Sequence, residues 1–118
     1  MKPDANDIPP FGGDEAECTF DDAGVAILPV PYEATVSYGG GTAKGPEAIL
    51  RASTQVELYD EQLGTEPFRA GIFTDAMLDV AGTTEQVVRR IETRFGELMD
   101  AGKWVVMVGG EHAITPGG

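Results

Sequence analysis

The sequence contains few of the residues that mark several large classes of protein. Its 118 residues include one cysteine, one histidine and one tryptophan. A single thiol, Cys18, cannot form an internal disulfide, which is typical of a reducing compartment, so we expect a cytoplasmic protein. The longest apolar runs, such as residues 104–108, are far shorter than the roughly 20 residues that a membrane-spanning helix needs. No secretory signal is visible, and we expect no association with a membrane.

Basic residues are also scarce. Eight lysines and arginines stand against twenty aspartates and glutamates, which gives a formal net charge of −12. Such a charge repels phosphate backbones and anionic lipids, so we expect no nucleic-acid partner. A metal ion or a cationic substrate suits the charge better, although charge alone does not choose between them.

The first 22 residues differ from the rest of the chain. They hold seven of the twenty acidic residues, a single lysine, and several prolines and glycines. We interpret residues 1–22 as an acidic, solvated arm that contributes nothing to a hydrophobic core. Residues 23–118 are then the ordered domain.

The ordered part contains runs that predict strands of a parallel sheet. Residues 25–30 and 103–108 are almost continuously apolar, a pattern typical of strands buried on both faces. Residues 72–73 indicate a further short strand.

Two segments predict helices. Gly45-Pro46 opens the first, because proline suits the first helical positions, and Ile49, Leu50 and Ala52 are its apolar side. Thr83 and Gln86 form a capping-box pattern that opens the second, whose apolar stripe runs from Val87 to Met99. Helix, glycine turn and apolar strand together indicate an α/β fold.

Two features indicate that these elements are not a whole domain. The loops at residues 31–45 and 53–70 are long for a domain of this length. In addition, two helices cannot shield both faces of a parallel sheet. We therefore expect the chain to be the opening section of a larger α/β domain.

Ligands of open α/β sheets bind beyond the carboxyl ends of the strands, where the loop after Val30 and the segment Gly109-Gly110-Glu111-His112 would lie. An imidazole beside a carboxylate can bind a divalent metal there, although a lone histidine is more often structural, and a catalytic metal needs about three protein ligands.

The glycine-rich residues 39–45 match no phosphate-binding motif, so a flexible surface loop is the simpler interpretation. Asp75 and Asp79 are expected to cap backbone groups or face solvent.

Three segments carry a family resemblance in the same order and spacing. Residues 109–115, Gly-Gly-Glu-His-Ala-Ile-Thr, resemble the Gly-Gly-Asp/Glu-His-Ser-Ile-Thr segment of the ureohydrolases, the arginase–agmatinase family of manganese enzymes. Residues 30–38 are similar to the agmatinase loop after the first strand. Residues 41–49 are similar to the Gly-x-x-x-Gly-Pro-x-Ala-Ile segment that follows it.

The resemblance implies a three-layer αβα fold around a parallel sheet, with two Mn²⁺ ions at strand ends that activate water for attack on a guanidinium carbon. It implies that His112 is a metal ligand, that Glu111 orients a ligand or a water, and that Ser37, Tyr38 and Gly40 belong to the substrate loop. The Asp-x-His-x-Asp and Asp-x-Asp motifs that supply the other ligands of the family are absent. The chain alone is therefore expected to be inactive.

The resemblance also implies partners. They are a small guanidino substrate such as agmatine, and further copies of the complete protein in a trimer or hexamer. Which guanidino compound is used stays open at this point. The alternative hypothesis is a truncated or degenerate relative without catalysis, which serves as an assembly or binding segment.

Overall fold

The computed structural model describes residues 8–33, 41–110 and 112–118. In these residues three parallel strands form a sheet in the order β2-β1-β3, flanked by two α-helices, as the sequence predicts. The strands are β1 (Val25–Val30), β2 (Ile72–Thr74) and β3 (Trp104–Gly109), and the helices are α1 (Gly45–Ser53) and α2 (Thr84–Asp100). Short 3₁₀ turns span Thr42–Lys44, Pro67–Ala70 and His112–Gly117.

Strand β1 is the centre of the sheet and the most deeply buried element. It pairs in parallel with β2 on one side and along its whole length with β3 on the other. Alternate side chains of β1 point to one face, where they pack with α2 in a cluster that contains Ala26, Leu28, Val30, Val87, Ile91 and Leu98. This cluster is the hydrophobic core of the described chain.

Helix α2 begins at the predicted capping box. The amide of Gln86 donates to Thr83 Oγ1 at 3.2 Å, and Gln86 Oε1 accepts from the amide of Thr83 at 2.9 Å. The predicted apolar stripe holds for most of the helix but not for its last turn, where Met99 is exposed. The helix ends before Gly102, whose φ of +82° is a conformation that favours glycine.

Helix α1 differs from its prediction in two respects. Gly45 was expected to cap the helix, but a 3₁₀ turn precedes α1, so Gly45 is its first residue and Lys44 occupies the cap position. Of its predicted apolar side only Leu50 is buried, whereas Ile49 and Ala52 are exposed. Leu50 lines a cavity together with Pro29, whose side chain lies on the face of β1 opposite the core cluster.

The acidic N-terminal segment is packed where the structure describes it, which differs from the expected solvated arm. Phe20 contacts Phe73 edge to face, with ring centroids 5.2 Å apart, and both rings pack against the core cluster. The amide of Cys18 donates to the carbonyl of Ile72 at 3.3 Å, and Ala16 is buried. Apolar residues between the acids therefore hold residues 8–22 against the domain, while the domain boundary at residue 23 stays a prediction.

Strand β3 is less buried than its apolar sequence predicts. Val105 and Met107 pack against the core cluster, on the side of α2. Trp104 and Val106 point to the opposite face and are 81% and 48% exposed. The pattern predicted the strand correctly but not its burial, because β3 is at the edge of the described sheet and the described residues leave Trp104 and Val106 largely uncovered.

Candidate functional site

The two segments predicted to meet at the strand ends do meet there. Strands β1 and β3 run parallel, with Pro29 beside Val108 and Val30 beside Gly109 in the ladder. Both strands therefore reach the same edge of the sheet at neighbouring positions, and the segments that follow them begin side by side. This edge is where open α/β sheets bind ligands.

Gly110 brings the chain that leaves β3 into direct contact with the end of β1. A Cβ atom on Gly110 would lie 2.7 Å from the carbonyl oxygens of both Val30 and Tyr32, and 2.8 Å from the amide nitrogen of Tyr32. Only glycine fits so close to the backbone of another segment. The strand-end turn is thus defined by backbone contact rather than by side chains.

The 3₁₀ turn that follows starts at His112. Ile114 in this turn is buried and belongs to the core cluster, and Gly117 lies against Ile91 of α2. The backbone of His112 is therefore held between Gly110, which contacts β1, and Ile114, which is anchored in the core. The side chain of His112 and the whole of Glu111 lie outside the described residues, so their predicted roles stay predictions.

Tyr32 and Glu33 anchor the chain just after β1, and the sequence reasoning missed both as structural residues. Tyr32 is buried, and its hydroxyl forms a hydrogen bond with Thr84 Oγ1 at the start of α2. Glu33 Oε1 accepts hydrogen bonds from the amides of Gly41 and Thr42, where the 3₁₀ turn before α1 begins. Both are residues that can hydrogen-bond directly after a buried strand, but the sequence does not indicate their partners.

The predicted substrate-loop residues are Ser37, Tyr38 and Gly40. They fall within residues 34–40, outside the described part of the chain. Their roles stay predictions, although the described residues at both ends of this segment, Glu33 and Gly41, are in contact.

Asp75 and Asp79 were expected to cap backbone groups or face solvent. Asp79 Oδ1 accepts from the amide of Ala81 at 3.0 Å, as expected. Asp75 Oδ1 likewise accepts from the amide of Ala76 at 3.0 Å, and both carboxylate oxygens of Asp75 in addition bind Arg94 of α2, at 2.5 and 3.0 Å. The hydrogen bonds to Asp75 raise the pKa of Arg94 above its ordinary value. Asp75 therefore ties the segment after β2 to α2.

The described cysteine and carboxylate side chains fall short of what a metal centre requires. Within residues 8–33, 41–110 and 112–118, no group of three or more His, Cys, Asp or Glu side chains is arranged to hold an ion. A catalytic centre needs about three protein ligands or more. The described side chains do not by themselves form a metal site, so any metal role of His112 requires donors in addition to them. In the same residues no helix is long and apolar enough to cross a membrane.

Parallel strands flanked by helices, with a glycine-rich turn at the carboxyl ends, define an α/β protein with a strand-end site. The sequence model of the Arginase family matches residues 23–118. The chain belongs to the Arginase family.

Related proteins agree with this assignment. The chain is 45% identical to the N(1)-aminopropylagmatine ureohydrolase of Synechocystis sp. over 109 residues, which are 87% of this chain and 36% of that protein. It is 39% identical to the enzyme of the same name from Thermus thermophilus over 102 residues, or 86% of this chain and 35% of that protein. The chain thus spans about a third of the length of these relatives.

A solved structure gives the same result for the fold. The crystal structure of agmatine ureohydrolase of Thermoplasma volcanium superimposes with a TM-score of 0.84 at 25% identity, covering 96% of this chain and 38% of that one. The predicted arginase-like α/β fold is confirmed.

Proposed function

We propose that this chain is the N-terminal portion of an agmatinase-like ureohydrolase. The proposed reaction cleaves the bond between the guanidinium carbon and the alkyl nitrogen of a guanidino compound. The oxygen of water ends on the carbon as urea, and the nitrogen leaves as an amine with a proton. The observation that carries the proposal is the 45% identity to a ureohydrolase over 87% of the chain, in a chain whose Gly-Gly-Glu-His segment follows a parallel strand.

His112 is the proposed metal ligand, and Mn²⁺ is the proposed metal. The backbone before it is fixed against β1 through Gly110, and the turn after it is anchored by Ile114. A ligand on so restrained a backbone is preorganised, which strengthens metal binding. A metal held there would supply an activated water for attack on the guanidinium carbon. Glu111, the next residue toward the strand, is proposed to orient a ligand or the water.

The substrate is proposed to be a small linear guanidino compound, with Ser37, Tyr38 and Gly40 in the loop that contacts it. Agmatine is one candidate. N(1)-aminopropylagmatine is a second, because both relatives at 39–45% identity carry that name. The overall charge of −12 suits either cation. A cytoplasmic location, a role in polyamine synthesis and assembly into trimers or hexamers are part of the same proposal.

The test uses the protein encoded by the complete coding sequence. Urea release is measured with agmatine and with N(1)-aminopropylagmatine in the presence of Mn²⁺, and the higher kcat/KM identifies the substrate. The 118-residue chain, assayed in parallel, is expected to release no urea because it lacks the Asp-x-His-x-Asp and Asp-x-Asp motifs that supply the other ligands of the family. Turnover by this short chain would contradict the proposed site, and no turnover by the complete protein would favour a non-catalytic relative.

The decisive variant in the complete protein is His112→Ala. We expect it to lower Mn²⁺ occupancy and to reduce activity by at least about a hundredfold, while the circular dichroism spectrum is unchanged. Glu111→Gln is the comparison and should retain more metal, since a carboxylate that only orients a ligand contributes less to affinity. If His112→Ala keeps full manganese and full turnover, His112 is a structural histidine.

A further inference from the structure

Glu33 links the end of β1 to the start of α1. Its Oε1 atom accepts hydrogen bonds from the amides of Gly41 and Thr42, the latter at 3.2 Å. Thr42 opens the 3₁₀ turn that runs directly into α1. A carboxylate at the beginning of a helical segment forms strong, charge-assisted hydrogen bonds with the free amides and complements the helix dipole. Glu33 therefore acts as a cap supplied from the neighbouring strand end.

The start of α1 in turn contacts the end of β3. A Cβ atom on Gly45 would lie 3.2 Å from the carbonyl oxygen of Gly109, so the two backbones pass at van der Waals distance. Gly109 is followed by Gly110 and the turn that begins with His112. The first turn of α1 is thus in direct contact with the strand end that precedes this turn.

Tyr32 makes the effect of Glu33 separable from the rest of the strand end. The Tyr32 side chain is anchored independently, through its hydroxyl to Thr84 and through its burial. The backbone of Tyr32 also contacts Gly110 directly. A change in the Glu33 side chain would therefore remove the hydrogen bonds to Gly41 and Thr42 and leave the contact between β1 and Gly110 in place.

We propose that Glu33 is a positioning residue: its carboxylate holds the first turn of α1 against the end of β3 and so fixes the backbone from which His112 reaches its ligand position. The role toward a metal rests on the proposed function, but the contact itself does not. Glu33 does not touch substrate or metal in this proposal. It acts through Gly41, Thr42 and Gly45.

The first experiment uses the complete protein without added metal. Glu33→Ala should speed the amide exchange of Gly41 and Thr42 about tenfold, as expected for the loss of about 1.4 kcal/mol of hydrogen bonding. The imidazole NMR signal of His112, identified by its absence in His112→Ala, should move as well. Glu33→Gln retains a carbonyl oxygen that can accept from both amides, and its effects should be smaller. The control is Glu47→Gln on α1, whose carboxylate pairs with Arg51 at the surface; it should leave the exchange and the imidazole signal unchanged.

The second experiment measures Mn²⁺ affinity of the complete protein. Glu33→Ala should raise the dissociation constant about tenfold, the lower end of the effect of residues that orient metal ligands. Activity should be low at limiting Mn²⁺ and recover at saturating Mn²⁺, which general unfolding would not produce. Gly45→Ala should shift the affinity in the same direction, because its Cβ presses on the carbonyl of Gly109.

The outcomes separate the two proposals. Unchanged exchange at Gly41 and Thr42 in Glu33→Ala would overturn the cap. Faster exchange with an unmoved imidazole signal, or with unchanged Mn²⁺ affinity in a wild-type protein that binds the metal, would overturn the positioning role alone. A complete wild-type protein that binds no Mn²⁺ would contradict the proposed function and the role toward the metal together, while the exchange data would still decide on the cap.

Discussion

Strands β1 and β3 have the same kind of sequence and different surroundings. Both are apolar almost throughout and pair along their whole length, yet β1 is buried from Ala26 to Val30, whereas β3 has one exposed face with Trp104 and Val106. The difference comes from position: β1 has a strand on each side and packed residues on both faces. Apolar runs therefore predict strands, and burial depends on what the rest of the chain places over them.

The largest expected difference is between a substitution in each strand. Leu28→Ala in β1 removes a fully buried side chain from the core cluster and should lower the free energy of unfolding by about 2–5 kcal/mol. Val106→Ala in β3 should cost about 1 kcal/mol or less, since half of that side chain is already exposed. Urea unfolding of the 118-residue chain, followed by circular dichroism, measures both. Equal losses would mean that the two strands are buried alike.

The inner end of β3 should behave like β1 rather than like the outer face of β3. Gly110→Ala places a Cβ against the carbonyl oxygens of Val30 and Tyr32 and should destabilise the chain by about 1–3 kcal/mol. Gly96→Ala is the matched control, because among the described residues no side chain or neighbouring segment lies within 4 Å of a Cβ at that position in α2. It should stabilise by about 0.5–1 kcal/mol through helix propensity. Two substitutions of the same sign would refute the close contact at Gly110.

Helix α2 packs over one face of β1. The capping box at Thr83 stabilises the start of this helix. Thr83→Ala removes the acceptor for the amide of Gln86 and should cost about 1 kcal/mol. Thr93→Ala, at an exposed position within the same helix, should be neutral or slightly stabilising because alanine is the better helix former. Thermal unfolding of the two variants side by side distinguishes a cap from a general effect of losing a hydroxyl group.

The smallest effect is expected at the exposed end of β3. Trp104→Thr replaces one residue that is common in strands with another and should change the free energy of unfolding by less than about 0.5 kcal/mol, although tryptophan is the largest side chain in the protein. The measurement is urea unfolding by circular dichroism. A loss as large as that of Leu28→Ala would show that the outer face of β3 is covered in solution.

Local signals in the sequence predicted most of the described fold. The capping box at Thr83, the proline at the start of α1 and the apolar runs of β1 and β3 each depend on neighbouring residues, and each prediction held. Met99 and Ile49 were predicted on apolar sides and are exposed, because helical periodicity gives a direction but not the extent of the partner surface.

The sequence predicted where the candidate site lies but not which contacts form it. The meeting of the segments after β1 and β3 followed from the geometry of parallel strands. The contacts of Tyr32 and Gly110 join residues far apart in the chain, and no local pattern specifies such partners. Glu33 reaches amides only eight and nine positions later, but no motif marked it as their acceptor. Phe20 was missed for a related reason: a single aromatic ring between acidic residues has no periodicity, yet it finds Phe73 in the folded chain.

The packing of the acidic N-terminal segment makes ionic strength a determinant of how firmly it is attached. The segment has exposed acidic residues on a chain whose net charge is −12, among them Asp14, Glu15, Asp21 and Asp22. Their mutual repulsion opposes the packing of Phe20 and Ala16 against the domain. At about 0.15 M salt, charges more than roughly 8 Å apart are largely screened from one another, and in dilute buffer they are not. Low salt therefore loosens this segment first, and with it the cover over Phe73 at the edge of the core.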